Sequence, residues 1–203
     1  MRIIAGSLKG RVFDSPKSHK THPMSDKMRG ALFNMLGDLQ GLRVLDAFAG
    51  SGALGFEAVS RGAAEVVAID NDRQAQQTIT KNIRQLGLGT AISLVKAGAG
   101  ACLGTAQGKP FDIVLCDPPY NDLQPNLLAR LAEVVAPNGG LFVLSWPGGQ
   151  ELPVLPGLAL IRHRQYGDGS LGFYRRQRIG RFGAGVLNNL PVADGRRAKV
   201  HHC

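Results

Sequence analysis

Residues 44–55 read VLDAFAGSGALG. The apolar run Leu42–Asp46 is strand-like and stops on an acid. Gly50, Gly52 and Gly55 follow, and Ala53–Arg61 has a helical pattern. A strand, a glycine turn and a helix start bring bare main chain and N–H groups to one point, where a ligand can approach closely. The glycines match G-x-G-x-x-G, which carries weight only in this strand–turn–helix setting. Eighteen residues after Gly52, Asp70 stands at the end of the next apolar run, Glu65–Ile69. An acid at that place can accept hydrogen bonds from both hydroxyls of a ribose.

The same alternation continues downstream. Asp72–Leu86 carries Ala75, Ile79, Ile83 and Leu86 at helical spacing. Ala91–Val95, Phe111–Cys116 and Gly140–Ser145 read as strands, with a helix over Leu123–Ala136. Strands alternating with helices predict a doubly wound α/β fold, with a mostly parallel sheet covered on both faces. Leu158–Tyr166 and Leu171–Arg175 flank Gly167-Asp168-Gly169 and predict a closing hairpin, antiparallel at the sheet edge. Before residue 42, Arg2–Ala5 and Gly10–Phe13 form a second hairpin pattern. Ser25 is placed to cap a helix whose stripe is Met28, Leu32, Met35 and Leu36. Three regions result: an N-terminal hairpin and helix extension over 1–40, a main domain over 41–176, and a basic tail over 177–203 that is expected to be disordered.

Length and composition agree with a single soluble globular domain: 203 residues, 44% hydrophobic and 19% charged. No apolar stretch approaches 18 residues, so no membrane span is expected. The start, MRIIAGSLKGR, lacks a signal peptide's apolar core, which predicts a cytoplasmic location. Cys102, Cys116 and Cys203 make no CxxC pair, and His201-His202-Cys203 lacks further ligands, so neither a disulfide frame nor a metal site is expected. The net charge of +9 is concentrated at the ends. Residues 1–30 hold seven Lys/Arg against two acids, and residues 161–203 hold nine against two. Basic ends on a near-neutral middle point to a polyanion partner, commonly nucleic acid.

The loop chemistry separates two cofactor classes. A diphosphate needs the helix N-terminus close behind the strand. Here Asp46-Ala47-Phe48-Ala49 intervene, and the carboxylate would repel a diphosphate. A methionine moiety carrying an ammonium and a sulfonium suits that carboxylate. S-adenosylmethionine therefore fits better than a dinucleotide. Residues 117–120, Asp-Pro-Pro-Tyr, end the Phe111–Cys116 run. In a doubly wound sheet this strand lies beside the first, with its end at the same crevice. An exocyclic amine is a poor nucleophile, and acceptors aimed at its N–H groups draw it out of conjugation. The Asp117 carboxylate and Pro118 carbonyl are such acceptors, Pro118 and Pro119 stiffen the backbone, and Tyr120 offers a ring for a flipped base.

Several segments together resemble the bacterial 16S rRNA (guanine-N2)-methyltransferase family, among the class I S-adenosylmethionine-dependent methyltransferases. They are MRIIAGSLKGR, HPMSDKMRGALFNML, VLDAFAGSGALGFEAVSRGA, FDIVLCDPPY and YGDGSLGFYRR, covering about residues 1–176. The resemblance implies a seven-stranded methyltransferase sheet preceded by a hairpin and helix. It implies methyl transfer from S-adenosylmethionine, leaving S-adenosylhomocysteine, to the N2 amine of one guanine in 16S rRNA or the assembling small subunit, by a monomer without a metal. Asp46, Phe48, Gly50, Ser51, Gly52, Asp70, Asn71 and Gly98 fall at the cofactor site, and Asp117, Pro118, Pro119 and Tyr120 at the catalytic motif. Lys9, Arg11, His22, Lys27 and Arg29 are the expected RNA contacts. The sequence departs from the family's pattern at His22, usually Arg, at Gly30, usually an acid, and at Lys96-Ala97-Gly98-Ala99, where an acid near the adenine is usual. The tail from Gln177 has no counterpart. An adenine-N6 methyltransferase, using the same motif, and a non-catalytic cofactor-binding assembly factor are the competing readings.

Overall fold

The computed structural model describes residues 1–16, 24–101 and 109–177. Seven strands form one sheet: β1 (Arg43–Asp46), β2 (Glu65–Asp70), β3 (Ile92–Lys96), β4 (Ile113–Cys116), β5 (Leu141–Pro147), β6 (Leu158–Tyr166) and β7 (Gly169–Arg176). Their order is β3-β2-β1-β4-β5-β7-β6. The first five are parallel, while β7 inserts antiparallel between β5 and β6. The direction of crossover reverses between β1 and β4, which opens a crevice at the C-terminal ends of those strands. The expected α/β class and antiparallel closing hairpin are both present.

Helices α1 (Asp26–Leu36), α2 (Ala53–Ser60), α3 (Arg73–Leu86) and α4 (Pro125–Ala132) cover the sheet. Ser25 caps α1 as expected, its Oγ accepting from the Met28 N–H at 3.2 Å. Asp72 caps α3 in the same way through Ala75. One apolar cluster joins α1, α2 and the hairpin residues Ile3 and Phe13 to Val44, Val66, Leu115, Leu171 and Phe173. A second cluster on the opposite face joins α4 to Leu45, Ile69, Val114, Phe142, Trp146 and Tyr174.

Two boundaries differ from the sequence reading for one reason. α4 ends at Ala132 rather than Ala136, and β4 starts at Ile113 rather than Phe111. The Phe111 N–H donates to Val134 O at 2.8 Å and the Ala136 N–H to Phe111 O at 2.7 Å. Residues 134–136 therefore leave the helix to satisfy the backbone of Phe111. At the other end, Pro125 takes the first helical position, where its missing N–H costs nothing.

The N-terminal hairpin is held through its backbone. Glu57, fully buried on α2, accepts from Ile4 N–H (2.8 Å), Ala5 N–H (3.1 Å) and Arg61 Nε (2.9 Å). The Ser60 carbonyl accepts from Ser7 N–H at 2.7 Å, and the Ser60 hydroxyl accepts from Leu8 N–H at 3.0 Å while donating to Ala5 O. Farther along, Asp14 and Asn82 of α3 exchange two hydrogen bonds. The hairpin thus ties α2 to α3.

Candidate active site

Three carboxylates stand at the ends of adjacent strands: Asp70 on β2, Asp46 on β1, and Asp117 immediately after β4. The register sets Asp46 beside Leu115, and Ala47 N–H donates to Leu115 O at 3.0 Å. The two loops therefore leave the sheet together. Asp46 has no exposed surface. Its Oδ2 accepts from Gly55 N–H at 3.0 Å, while Oδ1 has no partner among the described residues. Burial pushes this carboxyl up to about 7, opposed by the Gly55 hydrogen bond and helped by repulsion from Asp117 and Asp70. A buried acceptor with one oxygen unused suits a cationic or N–H-bearing group of a ligand.

The glycine loop curls round the same point. Gly50 and Gly52 have φ of 54° and 81°, a region that side chains avoid, and a Cβ on Gly52 would lie 2.6 Å from the Phe56 ring. Gly50 N–H donates to Asp70 Oδ2 and Asp72 N–H to Asp70 Oδ1, both at 2.7 Å. Burial raises the Asp70 carboxyl, against these backbone donors. Ser51 is buried and Phe48 half-buried. Asn71 and Gly98 are exposed in the loops after β2 and β3, the latter just before a short 3-10 turn, Ala99–Ala101. The expected cofactor residues thus gather along one edge of the sheet.

Asp117 is half-buried, and burial pushes its carboxyl up to about 6, against a hydrogen bond from Ser145 that favours the charged form. Tyr120 is 42% exposed, and its hydroxyl lies 3.0 Å from Ser145 Oγ. Burial raises this phenol too. Gly169, where β7 begins, is so close that a Cβ there would meet the Tyr120 hydroxyl at 2.8 Å. Ser145, buried on β5, is therefore a site residue that sequence reasoning missed. Its one signal was a lone hydroxyl in the apolar run LFVLSW. Replacing Ser145 by Ala removes a donor that favours the Asp117 carboxylate. If rate requires that carboxylate, the acid limb of the pH–rate profile moves to higher pH than in the parent, whereas an unmoved limb would remove Ser145 from the site.

The expected RNA contacts divide. Lys9 and Lys27 are exposed. Arg11 is committed to the end of α3, donating to Leu86 O (3.1 Å) and Gln85 O (3.2 Å). Arg29 is a correction: it is 1% exposed, and its Nη2 donates to Asp26 Oδ1 and Arg2 O, both at 2.8 Å. It joins α1 to the hairpin and presents no charge to a partner. His22, Cys102, Cys203 and the tail from residue 178 lie outside the described residues. Among the described residues, no group of three or more His, Cys, Asp or Glu is placed to hold a metal, and no helix is long and apolar enough to cross a membrane.

The chain matches, over residues 1–175, the model of a family described as "Conserved hypothetical protein 95". It is 33% identical to "Putative rRNA methyltransferase YlbH" of Bacillus subtilis (strain 168), over 87% of this chain and 100% of that one. It is 39% identical to "Ribosomal RNA small subunit methyltransferase D" of Escherichia coli (strain K12), over 70% of this chain and 69% of the relative. Among solved structures, "Putative methyltransferase yhhF" from Escherichia coli superposes with a TM-score of 0.76 at 34% identity, over 87% of this chain and 98% of that one.

Proposed function

This chain belongs to the family of the small-subunit ribosomal RNA methyltransferase D proteins, matched by the model described as "Conserved hypothetical protein 95", and on that premise we propose that it methylates the N2 amine of a guanine in 16S rRNA, using S-adenosylmethionine. The observation that carries this reading is the grouping of Asp70, Asp46 and Asp117 on adjacent strand ends around a positive-φ glycine loop. S-adenosylmethionine, when bound, supplies a methyl group on a sulfonium and leaves as S-adenosylhomocysteine.

The roles of the residues follow from their settings. Asp46, whose Oδ1 has no partner among the described residues, receives the ammonium of the methionine moiety. Gly50 and Gly52 let that moiety approach the main chain, with Phe48 and Ser51 completing the loop. Asp70 accepts from the ribose hydroxyls, and Asn71 and Gly98 border the nucleoside. Asp117 and the Pro118 carbonyl accept from the target amine, Pro119 holds the turn, and the exposed ring of Tyr120 stacks on the base. Asp117 takes up the proton that the amine loses, a task suited to a carboxyl near 6. The acceptor must start ionised, so the rate rises as pH increases through about 6.

Asp70→Ala removes the ribose acceptor and leaves Gly50 N–H without its partner. Affinity for S-adenosylhomocysteine, measured by calorimetric titration, falls by about ten- to a hundredfold, the value of one hydrogen bond to a charged group; equal affinity would remove Asp70 from the cofactor site. The reading as a whole is tested with tritiated S-adenosylmethionine and small-subunit rRNA. Label should appear as N2-methylguanosine after digestion to nucleosides. Label confined to DNA, or recovered in adenosine, would overturn it.

A further inference from the structure

Of the described N-terminal cations, Arg11 and Arg29 are tied to the protein while Lys9 and Lys27 are exposed; a second group of exposed cations lies at the far edge of the sheet. β6 is the outermost strand and carries Arg162, His163, Arg164 and Gln165, all exposed. Arg162 pairs across the ladder with Phe173, Arg164 with Leu171 and Tyr166 with Gly169. Residues opposite one another share a face, and Leu171 and Phe173 belong to the apolar cluster beneath α1 and the hairpin. Tyr166 packs against that same cluster. Arg162 and Arg164 therefore project on the α1 side of the sheet. Arg175, two residues beyond Phe173 on β7, projects with them and is exposed. His163 and Gln165 project on the opposite face. Among the described residues, no carboxylate forms an ion pair with Arg162, Arg164 or Arg175. Arg176, by contrast, turns to Ala132 O and Glu133 O.

The stripe also has a direction. The β6–β7 turn brings Gly169 against Tyr120, and Gly148 N–H fastens the turn by donating to Asp168 O at 2.7 Å. Running back along β6 from Tyr166, Arg164 and Arg162 follow at about 7 Å intervals, the repeat of one strand face. A polymer with one unit at Tyr120 would pass along this line.

We propose that the α1-side face of β6 and β7, through Arg162, Arg164 and Arg175, is a track for the phosphate backbone of the RNA whose base enters at Tyr120. This rests on the function proposed above for the recipient and on the register for the track. Three permanent cations without acidic partners, beside a site for a flipped base, fit a polyanionic chain better than an anionic lipid surface, which has no segment to place at Tyr120.

The full chain carrying Arg162→Ala and Arg164→Ala is compared with the parent for binding to a 16S rRNA fragment at several salt concentrations. The plot of log affinity against log salt should lose about two from its slope, roughly one for each lost phosphate contact, and Arg175→Ala should lose about one more. Gln165→Ala, on the other face, should change nothing. Affinity for S-adenosylhomocysteine should match the parent in every variant, which checks the fold. Unchanged RNA affinity and slope in the double variant would overturn the track, as would a parent that binds phosphatidylserine vesicles and no RNA. A parent that binds RNA through these arginines yet transfers no methyl group would keep the track and defeat the proposed reaction.

Discussion

Asp117→Ala loses methyl transfer by a factor of at least about a hundred to a thousand, the range for removing one preorganised polar group at a reacting centre, while S-adenosylhomocysteine still binds. On the roles proposed above, the loss falls on the rate rather than on the cofactor, because the two carboxylates are assigned separate parts. Asp46 is buried behind the glycine loop and tied to Gly55, whereas Asp117 follows β4 and is reached by Ser145. The variant also relieves Asp46 of a neighbouring negative charge that raises its carboxyl. Asp46 therefore ionises at lower pH in the variant, and binding of a cationic methionine moiety reaches further into the acid range. In the parent, the Asp117 carboxyl lies near 6, above its ordinary 3.8. Below that pH it is neutral and cannot accept from the amine, so activity is lost on acidification. Single-turnover rates across pH 5 to 8, with affinity measured alongside, check both statements. A variant at full rate would show that Asp117 is not the acceptor.

Gly6→Ala acts on the fold. Gly6 has φ of 83°, and an added Cβ would sit 1.8 Å from the Ser60 carbonyl oxygen. That oxygen is backbone at the end of α2 and already accepts from Ser7, so the hairpin must lift away. The hydrogen bonds to Ser60 and those to Glu57 are strained with it. Overpacking together with lost bonds costs about 3 kcal/mol or more, which for a chain of this size lowers the melting temperature by roughly 6–12 °C. Gly10→Ala supplies the control. Its φ is also 83°, but nothing lies within 4 Å of the added Cβ. It bears only the conformational cost, about 1 kcal/mol. Equal melting temperatures for the two variants would mean that the contact with Ser60 does not hold the hairpin.

The parts legible in the sequence were those set by short-range rules. The strand–glycine–helix run at 44–55, the acid at 70 and the stiff turn at 117–120 each announce themselves locally, and the alternating pattern brings them to one edge. Buried charge was not legible. Arg29 reads like its basic neighbours, and only the tertiary fold turns it inward onto Asp26 and Arg2 O; the acid three residues before it on the helix was the one hint. Glu57, an acid inside the apolar run ALGFEAVS, is the counterpart case, serving two N–H groups more than fifty residues away. Ser145 escaped for the same reason, since its partners come from another strand's loop. The hairpin at 158–176 was visible, but not that its second strand lies inside its first. That order depends on which strand finds the free edge of β5.

The inserted strand has a consequence for synthesis from the N-terminus. The five parallel strands are complete once residue 147 has emerged, yet β5 then presents an open edge of seven residues, LFVLSWP, five of them destined for burial. Among the described residues β7 closes it, and that same segment supplies the Gly169 contact behind Tyr120. A nascent chain thus holds its glycine loop early and leaves the Asp117–Tyr120 turn without the Gly169 contact until β7 has paired. Chains that stop short of β7 would be aggregation-prone at β5 and lack the Gly169 contact behind Tyr120. Closing the edge of β5 and supporting the Tyr120 turn are one event, the pairing of β7.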